Sequence, residues 1–174
     1  MLLLGGCAKD KVEKLTEAVL GSKAGSSAPS SSSKSPISFE GTDLTGNKIS
    51  DEVFSQSKLT MINVWATYCN PCLREMPELG ELAAEHEKEE FQLIGIVSDV
   101  LEGGDQSTAE SLVEQTGADY PHLLLNESIY NALLTEVSAV PTTFFFDENG
   151  AVLDVVVGAM EKSAWEEKIH ELKN

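Results

Sequence analysis

Val64-Trp65-Ala66-Thr67-Tyr68-Cys69-Asn70-Pro71-Cys72 decides how the chain is read. An apolar run, Leu59 to Val64, leads into it, and a helical pattern, Leu73 to Lys88, leads out. The two cysteines therefore fall at a strand-to-helix junction. Cys69 lies at or just before the first helical turn, where unpaired backbone N–H groups and the helix dipole favour a thiolate. Pro71 suits that turn, because its ring presets φ and its missing N–H would have no partner there. Cys72, one turn on, can attack a mixed disulfide formed on Cys69 and release the reduced partner.

Around this stretch the elements alternate. Phe39 to Asp43 and Asn47 to Ile49 flank a Thr45-Gly46 turn and predict a hairpin. Asp51 to Gln56 reads as a short helix with Val53 and Phe54 turned inward. Leu59 to Trp65, interrupted only by Thr60 and Asn63, reads as a central strand covered on both faces. A helix is expected over Pro71 to Lys88, kinked at Pro77. Phe91 to Val97 is the next buried strand, Leu101 to Gln106 a loop, and Thr108 to Thr116 a helix closed by Gly117. His122 to Leu125 is a short strand, and Ser128 to Glu136 a helix capped by Ser128. Thr142 to Phe146 and Ala151 to Val157 are strands joined by Asp147-Glu148-Asn149-Gly150. Ser163 to Leu172 closes the chain as a helix with Trp165, Ile169 and Leu172 on one side. This order predicts one α/β domain over residues 37–174: a mixed central sheet, helices on both faces, and an N-terminal β-hairpin.

Charge narrows the partners. The chain has 29 Asp and Glu against 12 Lys and Arg, a net charge of -17. Nucleic acid and anionic headgroups both need a basic face, so neither is expected as a partner. No run of eighteen apolar residues spans a membrane. Residues 8–36 read as a spacer, with a weak amphipathic helix over Asp10 to Leu20 and a serine-rich flexible linker over Gly21 to Pro36. Residues 1–7 resemble the tail of a bacterial lipoprotein signal, on the segment Leu4-Gly5-Gly6-Cys7. That resemblance implies a lipid on Cys7 and a membrane tether; the basic n-region and full apolar stretch of such signals are lacking. A lone exposed thiol is the alternative for Cys7.

The separated motifs Trp65-Ala66-x-x-Cys69-x-Pro71-Cys72 and Val140-Pro141-Thr142 resemble the thioredoxin superfamily. Within it the chain is most similar to the extracytoplasmic TlpA and ResA reductases, on three features. These are the lipoprotein-like start with its linker, the hairpin and inserted strand-and-helix segment, and Cys72-Leu73-Arg74-Glu75-Met76-Pro77. The resemblance implies a thioredoxin-like fold and a monomer. It makes Cys69 the nucleophile and Cys72 the resolving thiol, and it places a cis Pro141 loop opposite them. A cis Val-Pro bond is affordable and leaves the Val140 backbone free to pair with an extended substrate; a trans proline opening a strand is the alternative. Trp65, Tyr68, Asn70 and Pro71 complete the expected substrate surface. Asn63 stands where cytosolic thioredoxins carry a buried acid, so Glu75 becomes the candidate proton shuttle, the alternative being an ordinary surface glutamate. The resemblance further implies an extracytoplasmic location, protein disulfides as substrates and a CcdA-like membrane electron donor. Apocytochrome c and methionine sulfoxide reductase are the substrates it suggests.

Other chemistries fit less well. A structural zinc site needs four ligands, and there is no second cysteine pair. Haem attachment needs histidine after the second cysteine, where Leu73 stands. A peroxidatic centre needs proline and threonine where Ile62 and Ala66 stand. The remaining rival is a metallochaperone holding Cu(I) on Cys69 and Cys72, with His122 as a conceivable distal ligand. Thiol–disulfide exchange itself requires no cofactor and no metal.

Overall fold

The computed structural model describes residues 37–174. The expectations for Cys7, the Asp10–Leu20 helix and the Gly21–Pro36 linker fall outside the described residues. Strands β1 (Glu40–Thr42) and β2 (Lys48–Ser50) pair as the expected antiparallel hairpin. Its turn is organised by Asp43, whose Oδ1 accepts from Thr45 N at 2.9 Å, Thr45 Oγ1 at 2.8 Å and Asn47 N at 2.8 Å. A 3-10 turn, Asp51–Gln56, then buries Val53 and Phe54.

The main sheet has five strands: β3 (Leu59–Trp65), β4 (Phe91–Leu101), β5 (His122–Leu125), β6 (Thr142–Asp147) and β7 (Val152–Val157). Their spatial order is β5-β4-β3-β6-β7. β4 runs parallel to both β3 and β5, while β6 is antiparallel to both β3 and β7. All seven residues of the central β3 are buried, as its apolar run demands. Met61 and Trp65 join one core cluster, with side chains from α1 (Asn70–Glu85), α2 (Ser107–Thr116) and α3 (Lys162–Leu172). Ile62 and Val64 join the other, with Phe39, Phe54, Ile129, Leu133 and Leu134. The three longer helices thus share one face. The 3-10 turn and the Glu127–Leu134 segment cover the other.

Paired residues in register share a face. Asn63 of β3 pairs with Thr143 of β6 and Gly95 of β4, and Gly95 pairs with His122 of β5. The row Thr143-Asn63-Gly95-His122 therefore crosses the sheet under the α1 face. His122 is buried with both ring nitrogens engaged: Trp65 Nε1 donates to Nδ1 at 3.1 Å, and Nε2 lies 3.0 Å from Ala118 O. The two contacts define one tautomer, with the hydrogen on Nε2. Burial pushes the His122 pKa down to about 4, against the opposing bond to Ala118, so the ring is neutral at pH 7.

Three expectations change. β4 continues to Leu101, because Leu101 pairs again with Leu125 after a register shift and Ser98 Oγ donates to Trp65 O at 2.9 Å. The Ser128–Glu136 helix is instead one α-turn, Glu127–Ile129, passing into a π-turn, Tyr130–Leu134. Its cap is Asn126, which accepts from Ile129 N at 2.8 Å, while Ser128 Oγ accepts from Glu40 N at 3.1 Å. Helix α1 runs through Pro77 but stops at Glu85 rather than Lys88.

Gly95 has a steric reason to be glycine, since a Cβ there would strike the His122 ring. Gly95→Ala should cost ~1–3 kcal/mol, the usual range for overpacking a filled core, and lower Tm in thermal melts. An unchanged Tm would show that the ring moves aside freely.

Candidate active site

Cys69 is the N-cap of α1, in extended backbone geometry, and Cys72 N donates to its Sγ at 3.3 Å. That N–H is one of the donors a helix start leaves unpaired, so sulfur occupies the place of a capping oxygen. The two cysteines form a disulfide with an S–S distance of 2.02 Å. Their surroundings differ: Cys69 is 6% exposed and Cys72 fully buried. An incoming sulfur can reach only Cys69. Asn70 and Pro71, in the first turn, are exposed, and Tyr68 is 74% exposed.

The loop facing the disulfide contains a cis Val140–Pro141 bond. Cys69 Sγ lies 3.6 Å from Val140 O, with Val140 half-buried and Pro141 buried. Trp65 does not belong to the substrate surface expected of it. As the last residue of β3 it points to the α1 face, fully buried and bonded to His122. A residue the sequence did not single out holds the approach to Cys69. Asp99, near the end of β4, accepts from Thr67 N at 3.0 Å and from Thr67 Oγ1 at 2.5 Å.

Glu75 lies one helical turn beyond Cys72 and is 4% exposed, which rules out a surface glutamate. Its Oε1 accepts from Asn63 Nδ2 at 3.1 Å, and its Oε2 from Met160 N at 3.2 Å. Asn63 Nδ2 also donates to Thr143 Oγ1 at 3.0 Å, so the sheet row orients the amide toward the carboxyl. Burial pushes the Glu75 pKa up to about 7, and the bonds from Asn63 and Met160 only partly offset it. Tyr120, buried nearby, has its pKa raised by burial and by the Glu75 charge. A carboxyl poised near neutrality can take or give a proton at ordinary pH, which suits it to acid–base work on a neighbouring thiol. The residues that tune it, Asn63, Thr143 and Met160, come from three separate segments. Only Asn63 was legible, as the polar break in an apolar strand.

His122 cannot serve as a distal copper ligand while both its nitrogens are engaged. The metal-binding alternative therefore rests on the two sulfurs alone.

Comparison with known proteins agrees with this geometry. The model of the AhpC/TSA family matches residues 33–155. The thiol-disulfide oxidoreductase ResA of Geobacillus kaustophilus is 31% identical over 135 residues, covering 76% of this chain and 72% of that protein. Among solved structures, a thiol:disulfide interchange protein of the thioredoxin family from Chlorobium tepidum TLS superposes with a TM-score of 0.69. It shares 21% identity and covers 80% of this chain and 95% of its own. MTB dsbF gives a TM-score of 0.66 at 23% identity, covering 78% and 96%. The fold is thioredoxin-like.

Glu75 and His122 give opposite pH signatures. The folded pKa of Glu75 is raised, so its contribution to stability is complete at acid pH and lost as pH rises from 4.5 through about 7. The folded pKa of His122 is depressed, so its neutral burial costs stability below its ordinary pKa of 6.5, a cost that disappears as pH rises. Between pH 5 and 8 the two nearly cancel. In urea unfolding, Glu75→Gln should therefore gain roughly 2–3 kcal/mol on wild type between pH 5 and pH 8, at 1.36 kcal/mol per pKa unit. Parallel pH profiles would mean that Glu75 is already ionised in the fold at pH 5.

Proposed function

The chain belongs to the AhpC/TSA family, and we propose that within it the protein works as an extracytoplasmic, membrane-tethered reductase of exported proteins. Its ResA-type kinship makes it a thiol–disulfide oxidoreductase. Membership carries no peroxidase chemistry here, because Ile62 and Ala66 replace the proline and threonine a peroxidatic cysteine needs. The observation that carries the reading is the asymmetry of the disulfide: one sulfur reachable at a helix N-terminus against Val140, the other sealed beside a carboxyl poised near pH 7.

In the reduced protein, the Cys69 thiolate attacks one sulfur of a substrate disulfide, and the other substrate sulfur leaves as a thiolate. A mixed disulfide now joins Cys69 to the substrate. Glu75 takes the Cys72 proton, and the Cys72 thiolate attacks Cys69 Sγ. The second substrate sulfur leaves as a thiolate; the proton held by Glu75 and one proton from solvent, which received that of Cys69 when it ionised, convert the two substrate thiolates to thiols. The substrate has gained two electrons and two protons, and Cys69–Cys72 is again a disulfide. The helix N-terminus and the Cys72 N–H stabilise the Cys69 thiolate. The exposed Tyr68, Asn70 and Pro71, with the Val140 backbone, form the docking surface for an extended segment. Recharging takes two electrons from a membrane dithiol carrier of the CcdA kind, with apocytochrome c or a methionine sulfoxide reductase downstream. No helix of the described residues is long and apolar enough to cross a membrane; the tether in this reading is a lipid on Cys7.

Two experiments test these assignments. Cys72→Ser should trap exported proteins as mixed disulfides that dithiothreitol releases, whereas Cys69→Ser should trap few. Equal trapping would reverse the roles of the two cysteines. Mass spectrometry of the native N-terminus should find a diacylglyceryl group on Cys7; an unmodified Met1 would remove the tether.

A further inference from the structure

Strand β4 leaves the register of its neighbours at one place. Val97 pairs with Leu124 and Leu101 with Leu125, so Ser98, Asp99 and Val100 have no counterpart on β5. On the other side, pairing with β3 ends at Trp65 and Val97. The three residues therefore run past the end of β3, alongside the segment that leads to Cys69. Irregularities of this kind re-aim side chains and are over-represented beside active sites. Ser98 Oγ donates to Trp65 O at 2.9 Å. Asp99 Oδ1 and Oδ2 accept from Thr67 N at 3.0 and 3.1 Å, and Oδ2 accepts from Thr67 Oγ1 at 2.5 Å. The residues on both sides of Ala66 are thus gripped, and Ala66 O in turn accepts from Cys69 N at 3.0 Å.

A neutral amide could hold Thr67 N as well; an acid adds a charge. Thr67 and Cys69 are two residues apart, at most about 7.6 Å between Cα atoms, a separation that physiological salt screens only in part. The other groups around Cys69 are few. Helix α1 contributes the exposed Arg74 and, beneath, Cys72 and Glu75, while the facing 137–141 loop carries no charged side chain. The start of α1 favours a Cys69 thiolate. Taken alone, that stabilises the reduced form and makes a dithiol pair oxidising. Asp99, exposed at the end of β4, opposes it, because a like charge disfavours the thiolate. Resting on the reductase reading above, we infer that Asp99 is a positioning residue: fixed on Thr67 by the irregular end of β4, it holds a negative charge against the Cys69 thiolate and biases the pair toward giving its electrons away.

The test uses the full chain. Asp99→Asn keeps an oxygen for Thr67 N and removes the charge, whereas Asp99→Ala removes both. Alkylation of the reduced proteins is followed at Cys69 against pH, peptide by peptide, by mass spectrometry. The midpoint should fall by roughly 0.5–1 pH unit in both variants, since a repelling charge is gone. The difference from wild type should shrink at about 1 M salt. In glutathione buffers, two glutathione thiols pass two electrons to the Cys69–Cys72 disulfide, giving two protein thiols and glutathione disulfide. Measured above the Cys69 midpoint, both variants should show a reduced-to-oxidised ratio about three- to ten-fold above wild type, ten-fold being about 30 mV for this two-electron couple. An unchanged midpoint and ratio in Asp99→Asn would overturn the inference and leave Asp99 a clamp on Thr67, even if Asp99→Ala lowered Tm. A midpoint that rises would overturn it as well. A wild-type pair that becomes reduced in buffers that keep thioredoxin oxidised would instead overturn the reductase reading beneath it.

Discussion

A carboxyl group held inside the core by the sheet beneath it is the constraint on which the site depends. Glu75 could not stay buried on apolar contacts alone, since an unpaired buried carboxylate is costly. Asn63 and the Met160 backbone supply one donor to each oxygen. Asn63 is fixed in turn by Thr143, its register partner on the neighbouring strand. The carboxyl is thereby tied to β3, β6 and the segment before α3 at once. The same row of the sheet, continued through Gly95, makes room for a neutral His122 that braces Trp65. A single line of residues across four strands thus sets the environment of the thiol pair from below.

The two faces of the sheet divide the work. Under α1 lies the proton chemistry, sealed from solvent around Cys72 and Glu75. On the opposite face lies an apolar cavity bounded by the π-turn and the Val140 loop. Cys69 sits where the two meet. It has one side toward the buried partner sulfur and the other toward the backbone over which a substrate must pass.

Much of this was legible in the chain. The unbroken burial of β3 followed from its apolar run, and the helix start at Cys69 followed from Cys-Asn-Pro-Cys. The burial of Glu75, which the sequence left open against a surface glutamate, comes from its place on one helical stripe with Cys72, Met76, Leu79 and Leu82. What the sequence hid depended on three dimensions. Trp65 read as a rim residue by its nearness to the cysteines, yet strand alternation carries it to the interior. Asn126 outcompeted Ser128 as a cap because Ser128 is engaged by Glu40 N from the distant hairpin. Asp99 gave no local sign of its grip on Thr67, because the two are 32 residues apart and meet only where adjacent parallel strands end.

The disulfide closes a ring of neighbouring residues, with only two positions, Asn70 and Pro71, between its ends in sequence. A cross-link restrains the unfolded chain more as the loop it closes grows longer, and this loop is among the shortest possible. Forming or breaking the bond therefore changes the freedom of the unfolded polypeptide little. The helix start, the sheet row and the facing loop are secured by contacts that do not pass through the sulfur–sulfur bond. The fold is in this sense insulated from the redox state of its own site, and the bond can open and close in each turnover without putting the architecture at risk.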